Sequence, residues 1–333
     1  MADCQKTLKI ASLELANPLV LAPLSGISDL PFRLLAKEQG CALVCTEMTS
    51  AEGIIRNWKA TERLLRSCPE ERPLAVQIFG SRPEAMAEAA KIVEGYGADL
   101  VDINMGCPVR KVVRGGSGAA LLRDVERAKE IIQAVRKAIS LPLTIKIRSG
   151  WDEKSMNFLE MARMAEGCGV NALTVHGRTR TQGYAVKADW EVIARVKARL
   201  RIPVIGNGDL TSPSAIPQFF RQTGCDGAMI GRGALGNPWI FRQALNMLQS
   251  KPPAEPSLEE KEALILRHLR MVVEMRGEDH GLKEFRKHLI WYTRGLRGNA
   301  QFRSQIPLWK SFSEVVGRIQ EYFQNFKSSY LFS

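Results

Sequence analysis

The chain has 333 residues, 45% of them hydrophobic, enough for one domain of about 250 residues and a smaller second one. No run approaches the ~18 apolar residues of a membrane span, and residues 1–7 lack the apolar core of a signal peptide, so we expect no membrane span and a cytoplasmic protein. Seven cysteines without framework spacing fit a reducing compartment, and 47 Lys+Arg against 35 Asp+Glu, a formal net charge of +12, favour a polyanionic partner such as RNA.

Short β-rich runs then recur, each followed by a stretch of helical period. Residues 18–22 lead into Ala22-Pro23-Leu24-Ser25, residues 43–46 into Thr46-Glu47-Met48, and residues 74–79 carry Gln77. Residues 100–104 end at Asn104, just before Gly106-Cys107-Pro108, and residues 143–147 carry Lys146 with Arg148 beyond it. Residues 172–176 lead into His176-Gly177-Arg178, residues 203–206 into Asn207-Gly208-Asp209, and residues 227–230 into Gly231-Arg232-Gly233. Helical period is clearest over residues 83–96 and 125–139. This alternation predicts an α/β fold, a parallel (β/α)₈ TIM barrel over residues 1–250, with a doubly wound sheet as the alternative. After the Pro-rich break at 251–256, residues 257–333 read as an all-helical domain.

A barrel gathers its functional groups just past the C-terminal strand ends, where these polar residues fall. The loops after the seventh and eighth strands suit a phosphate, because glycines let backbone N–H groups approach an anion and Arg232 adds charge. Lys146 alternates into the barrel interior, where a cation needs an anionic partner. Flavin mononucleotide meets both demands, through its phosphate and the N1–O2 edge of its reduced ring. Gln77 can hydrogen-bond the pyrimidine edge of such a ring, and the backbone of Pro23, Leu24 and Ser25 can wall one side. No metal is expected, because Cys41 and Cys45 lack partners at zinc spacing and the four histidines are scattered. Gly116-Ser117-Gly118 lacks the third glycine of a dinucleotide fingerprint. Cys107, between a glycine and a proline, reads as a thiol lifted out of the core on a turn.

These motifs together resemble the flavin-dependent tRNA-dihydrouridine synthases, and among them the bacterial B-type subgroup. The resemblance runs over nearly the whole chain and is most specific at Asp102-Ile103-Asn104-Met105-Gly106-Cys107-Pro108. Lys146-Ile147-Arg148-Ser149-Gly150-Trp151 and His176-Gly177-Arg178-Thr179 continue it, and Leu24 departs from it where methionine is common. It implies FMN held by Pro23, Leu24, Ser25, Gln77, Lys146, His176, Asn207, Gly208, Asp209, Gly231 and Arg232. It implies NADPH as reductant, hydride delivery from N5 of reduced FMN to C6 of a uracil in tRNA, and protonation of C5 by Cys107. Asn104 and Arg178 are expected at the RNA base.

A base must leave its stack to reach a barrel mouth, which calls for a wider RNA-holding surface. The stretch 283–303 carries Lys283, Arg286, Lys287, Arg294, Arg297 and Arg303 against the single acid Glu284, with Trp291, Tyr292 and Phe302 interleaved. The first five are our expected RNA contacts, on a protein expected to be a monomer. Two alternatives stand: an FMN barrel reducing a small pyrimidine or enone, and a catalytically idle RNA-binding module.

Overall fold

The computed structural model describes residues 7–330, with no side-chain description for residue 60 or residues 326–330. Cys4 and the outer ends of both expected domains lie outside the described residues.

Strands β1 (Leu8–Ile10) and β2 (Leu13–Leu15) form an antiparallel hairpin ahead of the barrel. The barrel runs β3 (Leu19–Leu21), α1 (Leu30–Glu38), β4 (Val44–Cys45), a short β5 (Thr49–Ser50), α2 (Ala51–Arg56), α3 (Trp58–Leu65), β6 (Leu74–Phe79) and α4 (Pro83–Gly95). It continues through β7 (Leu100–Met105), α5 (Arg110–Arg114), α6 (Val125–Ala138), β8 (Leu143–Arg148), α7 (Phe158–Gly167), β9 (Ala172–His176), α8 (Trp190–Lys197), β10 (Val204–Asn207), α9 (Ala215–Thr223), β11 (Gly227–Ile230) and α10 (Ile240–Leu248).

Neighbouring strands run parallel in the order β3-β11-β10-β9-β8-β7-β6-β4, and a bridge between Val20 and Leu43 closes the ring. The closure is hydrogen-bonded, Leu21 N–H to Leu43 O at 2.9 Å and Ala42 N–H to Leu19 O at 3.0 Å. Strands rich in Leu, Ile and Val are buried on both faces because helices cover the outside and side chains fill the inside. The β1–β2 hairpin closes the N-terminal end: Leu8, Ile10 and Leu15 pack with Val20, Leu43, Leu100, Ala172 and Met229. Each such buried aliphatic contributes about 1.5–3 kcal/mol. With that end sealed, access to the barrel lies at the C-terminal strand ends.

Beyond residues 251–256 lie α11 (Leu258–Arg276), α12 (Glu278–Tyr292), α13 (Asn299–Gln305) and α14 (Phe312–Tyr330). The Ser257 hydroxyl caps α11 by accepting from Glu260 N–H at 3.1 Å. Ile265, Leu269, Phe285, Leu289, Ile319 and Phe323 form the core of this region, which also takes in Leu35 of α1 and Trp239. Trp239 Nε1–H donates to Glu260 at 3.1 Å and Arg242 pairs with the same carboxylate at 2.9 Å, so the helices are seated on the barrel. Tyr292 and Phe302, which interleave with basic residues in sequence, point into this core.

Candidate active site

Barrel register sets the site. Gln77 pairs with Asp102, Asp102 with Thr144 and Asn104 with Lys146 on adjacent strands, so their inward side chains meet at matching levels. Thr144 Oγ1–H donates to Asp102 Oδ1 at 2.6 Å, and Gln77 Nε2–H donates to Asp102 Oδ2 at 2.7 Å. Asn104 Nδ2–H donates to Gln77 Oε1 at 2.8 Å, and Asn104 Oδ1 accepts from the N–H groups of Gly106 and Cys107 at 3.1 and 2.9 Å. A continuous chain of bonds thus runs from Thr144 to the thiol-bearing turn. Asp102 is fully enclosed, and burial raises its carboxyl above the ordinary range although Gln77, Thr144 and the charge of Lys146 pull it down.

The turn is held from its other side too. Arg148, 2% exposed, donates from Nε to Gly106 O at 2.9 Å and from Nη1 to Thr179 O at 2.8 Å. Ala119 N–H donates to Cys107 O at 3.1 Å. Gly118 sits at φ +60, and a Cβ there would lie 2.9 Å from Cys107 O and 3.2 Å from Cys107 Cβ. The glycine-rich stretch that fails as a nucleotide fingerprint is therefore the backing of the cysteine turn. Burial pushes the half-buried Cys107 thiol up, against the Val109 N–H and the charges of Arg148 and Lys146, so it stays protonated at neutral pH.

Opposite stands a positive cluster. Lys146 Nζ donates to Asn207 Oδ1 at 3.1 Å, and burial, then the charge of Arg148, lower its ammonium to about 8. Arg178 Nη1 donates to His176 Nε2 at 3.1 Å. A guanidinium only donates, so Nε2 carries the lone pair and the ring proton sits on Nδ1. Burial, then Lys146, Arg148, Arg178 and Arg232, hold His176 far below the ordinary histidine range. Arg178 Nη2 donates to both Asp209 oxygens at 2.7 Å, and Arg232 Nη2 reaches Asp209 Oδ1 at 2.9 Å. Burial alone would raise the Asp209 carboxyl, but hydrogen bonds from Arg178 and Ala188 N–H and the two arginine charges bring it below its ordinary value. Tyr184, 56% exposed, lies under the Arg232 guanidinium at 4.4 Å.

The loop after β3 is clamped at one peptide. Gly26, at φ +71, donates its N–H to Glu47, and its carbonyl accepts from Lys287 of α12. Ser28 Oγ accepts from Leu24 N–H at 2.9 Å.

These groups line or back one cavity of about 380 Å³. Of the residues singled out in the sequence, Pro23, Leu24, Ser25, Gln77, Asn104, Cys107, Lys146, His176, Arg178, Asn207, Gly208, Asp209, Gly231 and Arg232 all line it. Met48, Arg148 and Tyr184 line it as well, with Asp102, Glu47 and Gly118 behind, and sequence reasoning did not assign these six a role. Period-2 alternation carried a signal for Asp102, a carboxylate on the same face of its buried strand as Asn104. The basic stretch is divided: Lys283, Arg294 and Arg297 are exposed, Arg286 donates to Pro307 O at 3.1 Å, and Lys287 is engaged at Gly26. Among the described residues there is no group of three or more His, Cys, Asp or Glu placed to hold a metal ion, and no helix is long and apolar enough to cross a membrane.

A closed parallel barrel sealed at one end, with a polar, cation-rich pocket at the other, defines a TIM-barrel enzyme. A family model described as dihydrouridine synthase (Dus) matches residues 20–328. A probable tRNA-dihydrouridine synthase of Rickettsia bellii is 40% identical over 319 residues, covering 95% of this chain and 98% of that one. The tRNA-dihydrouridine synthase B of Xanthomonas axonopodis pv. citri is also 40% identical, over 95% of this chain and 96% of its own. Among solved structures, 2-naphthoyl-CoA reductase matches at TM-score 0.57 and 13% identity over 75% of this chain and 52% of that chain. Histamine dehydrogenase from Rhizobium sp. 4-9 matches at 0.57 and 13% over 98% of this chain and 64% of its own. Both are longer proteins, and the likeness is one of fold. The chain belongs to the dihydrouridine synthase family, on the side of the bacterial B-type enzymes, and is an oxidoreductase of CH–CH bonds.

Proposed function

We propose that this chain reduces the C5–C6 double bond of uridines in tRNA, with FMN as its cofactor and NADPH as reductant. The observation that carries the reading is the Cys107 turn, a protonated thiol held by Asn104 and Arg148 at the mouth of a cation-rich pocket.

The donor set fits a flavin. Among the described residues Lys146 makes its hydrogen bond to the neutral amide of Asn207 and to no carboxylate, so an electron-rich ligand edge would find a cation without a direct ion-pair partner. Arg178 and Arg232 share the single carboxylate of Asp209, which leaves net positive charge beside the Asn207-Gly208-Asp209 and Gly231 backbone for a phosphate. Pro23, Leu24, Ser25 and Gln77 would border the ring, and neutral His176 would offer a hydrogen bond without adding charge. When bound, the flavin supplies the hydride that C6 of the uracil gains.

The remaining work belongs to the chain. Cys107 holds the proton that C5 gains, and burial, which raises the thiol pKa, keeps that proton in place until it is needed. Asn104, Gln77 and Asp102 fix the turn, and Arg178 borders the space for the base. Exposed Lys283, Arg294 and Arg297 would hold the RNA backbone. The expected pocket residues all come from one chain, which is consistent with a monomer, and the substrate supports a cytoplasmic location. Mass mapping of dihydrouridine in RNA from cells with and without this protein tests the reading. Loss of dihydrouridine at defined tRNA positions is expected, and unchanged RNA would overturn it.

A further inference from the structure

A second cavity of about 460 Å³ lies away from the barrel, between α13 and α14. Its floor is aromatic. Phe302 and Trp309 are buried with ring centres 5.2 Å apart, and Tyr322 packs on Phe302 at 4.2 Å. Tyr322 O–H donates to Arg297 O at 2.8 Å, which anchors the Gly298 turn, at φ +71, that starts α13.

The rim is polar. Gln301, Gln305 and Asn325 line it with amides that have no side-chain partner among the described residues, each offering donors and an acceptor. Arg297 adds an exposed cation, and Arg318 pairs, among the described residues, with the exposed Glu321 at 3.1 Å, a solvent-screened contact that leaves it available. An apolar ligand does not suit this rim, a divalent cation would find one carboxylate, and an acidic peptide has no use for the aromatic floor. Aromatic floor, amides and arginine are together the chemistry that holds an unstacked nucleotide of single-stranded RNA, and the volume falls in the range of small-ligand pockets.

The cavity also connects to the barrel mouth. Arg286 donates to the carbonyls of Pro307 and Trp309 at 3.1 and 3.5 Å, and its neighbour Lys287 donates to Gly26 in the loop whose Ser25 and Ile27 line the active-site cavity. One helix, α12, therefore bonds both to a wall segment of this cavity and to the loop that borders the active-site cavity.

We propose that the α13–α14 cavity binds a second unstacked ribonucleotide of the same RNA whose target uridine enters the barrel. The proposal rests on the reading that this chain acts on tRNA. Its test is the Gln301→Ala/Gln305→Ala double variant of the full chain, which removes two amides and no charge. The tRNA dissociation constant should rise about tenfold, the sum of two modest hydrogen bonds, with an unchanged salt slope and an unchanged thermal midpoint. Arg297→Met should flatten the salt slope by about one. A photo-crosslinker at position 301 should mark one nucleotide other than the target uridine. Wild-type affinity in the double variant, or crosslinks scattered along the RNA, would overturn the site while leaving the tRNA reading intact. A wild-type protein without measurable tRNA affinity would overturn that reading and this site with it.

Discussion

The side-chain oxygen of Asn104 accepts from the backbone N–H of Cys107 at 2.9 Å, while the amide nitrogen of Asn104 donates to Gln77 on the neighbouring strand. The thiol is thereby referenced to the barrel wall. Asn104→Ala removes the acceptor for two turn N–H groups and the donor for Gln77. Loss of about 1–3 kcal/mol of stability is expected, with a far larger proportional loss in single-turnover dihydrouridine formation than in flavin affinity. Equal losses in both would show that Asn104 serves folding rather than placement of the thiol.

Strand positions were legible because a parallel barrel makes each strand a short, largely apolar run: residues 74–79, 172–176 and 227–230 coincide with β6, β9 and β11. The β1–β2 hairpin was not, since strands of only three residues, Leu8-Lys9-Ile10 and Leu13-Glu14-Leu15, are too short for their alternation to stand out. Polar strand ends marked the pocket. Their partners stayed hidden where the contact is tertiary. Alternation turns Asp102 inward, but its partners Gln77 and Thr144 show only once the barrel closes, and Gly118 gains meaning only against Cys107. Adjacent in sequence, Arg286 and Lys287 bond to different segments, which charge counting cannot separate.

On the proposed chemistry, Cys107→Ala keeps flavin binding and NADPH oxidation but loses about 10²- to 10⁴-fold in dihydrouridine formed in a single turnover, the usual worth of a general acid. Cys107→Ser stays severely impaired, because a hydroxyl of similar size is far less acidic. Cys41, held up at about 12 by burial, and Cys45, also fully buried, should affect only stability when changed to alanine. A Cys107→Ala enzyme with the wild-type single-turnover rate would leave the cysteine a structural residue.

Lys146 ties cofactor affinity to stability. Burial, reinforced by Arg148 and opposed by Asp102, lowers its ammonium from 10.5 to about 8. Between those values the unfolded chain holds the proton and the folded chain has released it. The destabilisation is therefore complete below pH 8 and is relieved as pH rises toward 10.5. Lys146→Met should raise the thermal midpoint of the flavin-free protein at pH 7 and weaken flavin retention. A variant that melts like wild type and keeps its flavin would contradict this placement.

The basic residues of the helical region should sort into two groups. Neutralising Lys283, Arg294 and Arg297 is expected to weaken tRNA binding and flatten its dependence on salt, since each exposed cation releases counterions on contact with phosphate. Arg286→Met instead removes the donor to Pro307 and Trp309 and should lower the thermal midpoint. Measured salt slopes that do not differ between the triple variant and wild type would mean that this face is merely solvated.

Besides His176 in the pocket, acid sensitivity should come from the seam between α1, α11 and α12. His268 and His288 are enclosed there with ring centres 4.6 Å apart, beside Phe32, and His268 Nδ1 bonds Tyr292 Oη at 2.9 Å. Burial, with the charges of Lys287 and Arg267, lowers His268 to about 3, and burial with His268 and Lys287 holds His288 well below 6.5. The unfolded chain takes up these protons near pH 6.5 while the folded chain does not, so stability falls as pH drops below that point, by about 1.4 kcal/mol per pH unit for each histidine. Asp29 acts in the opposite direction. Burial raises its carboxyl to about 6, so the folded state binds that proton first and gains stability as pH falls from 6 toward 3.8. A comparison of variants removes this offset. His268→Gln keeps a partner for Tyr292, and its unfolding free energy should decline less steeply than wild type between pH 6 and 4.5, by about one proton's worth. Parallel urea-unfolding curves for the two proteins across that window would mean that His268 titrates as freely in the fold as in the open chain.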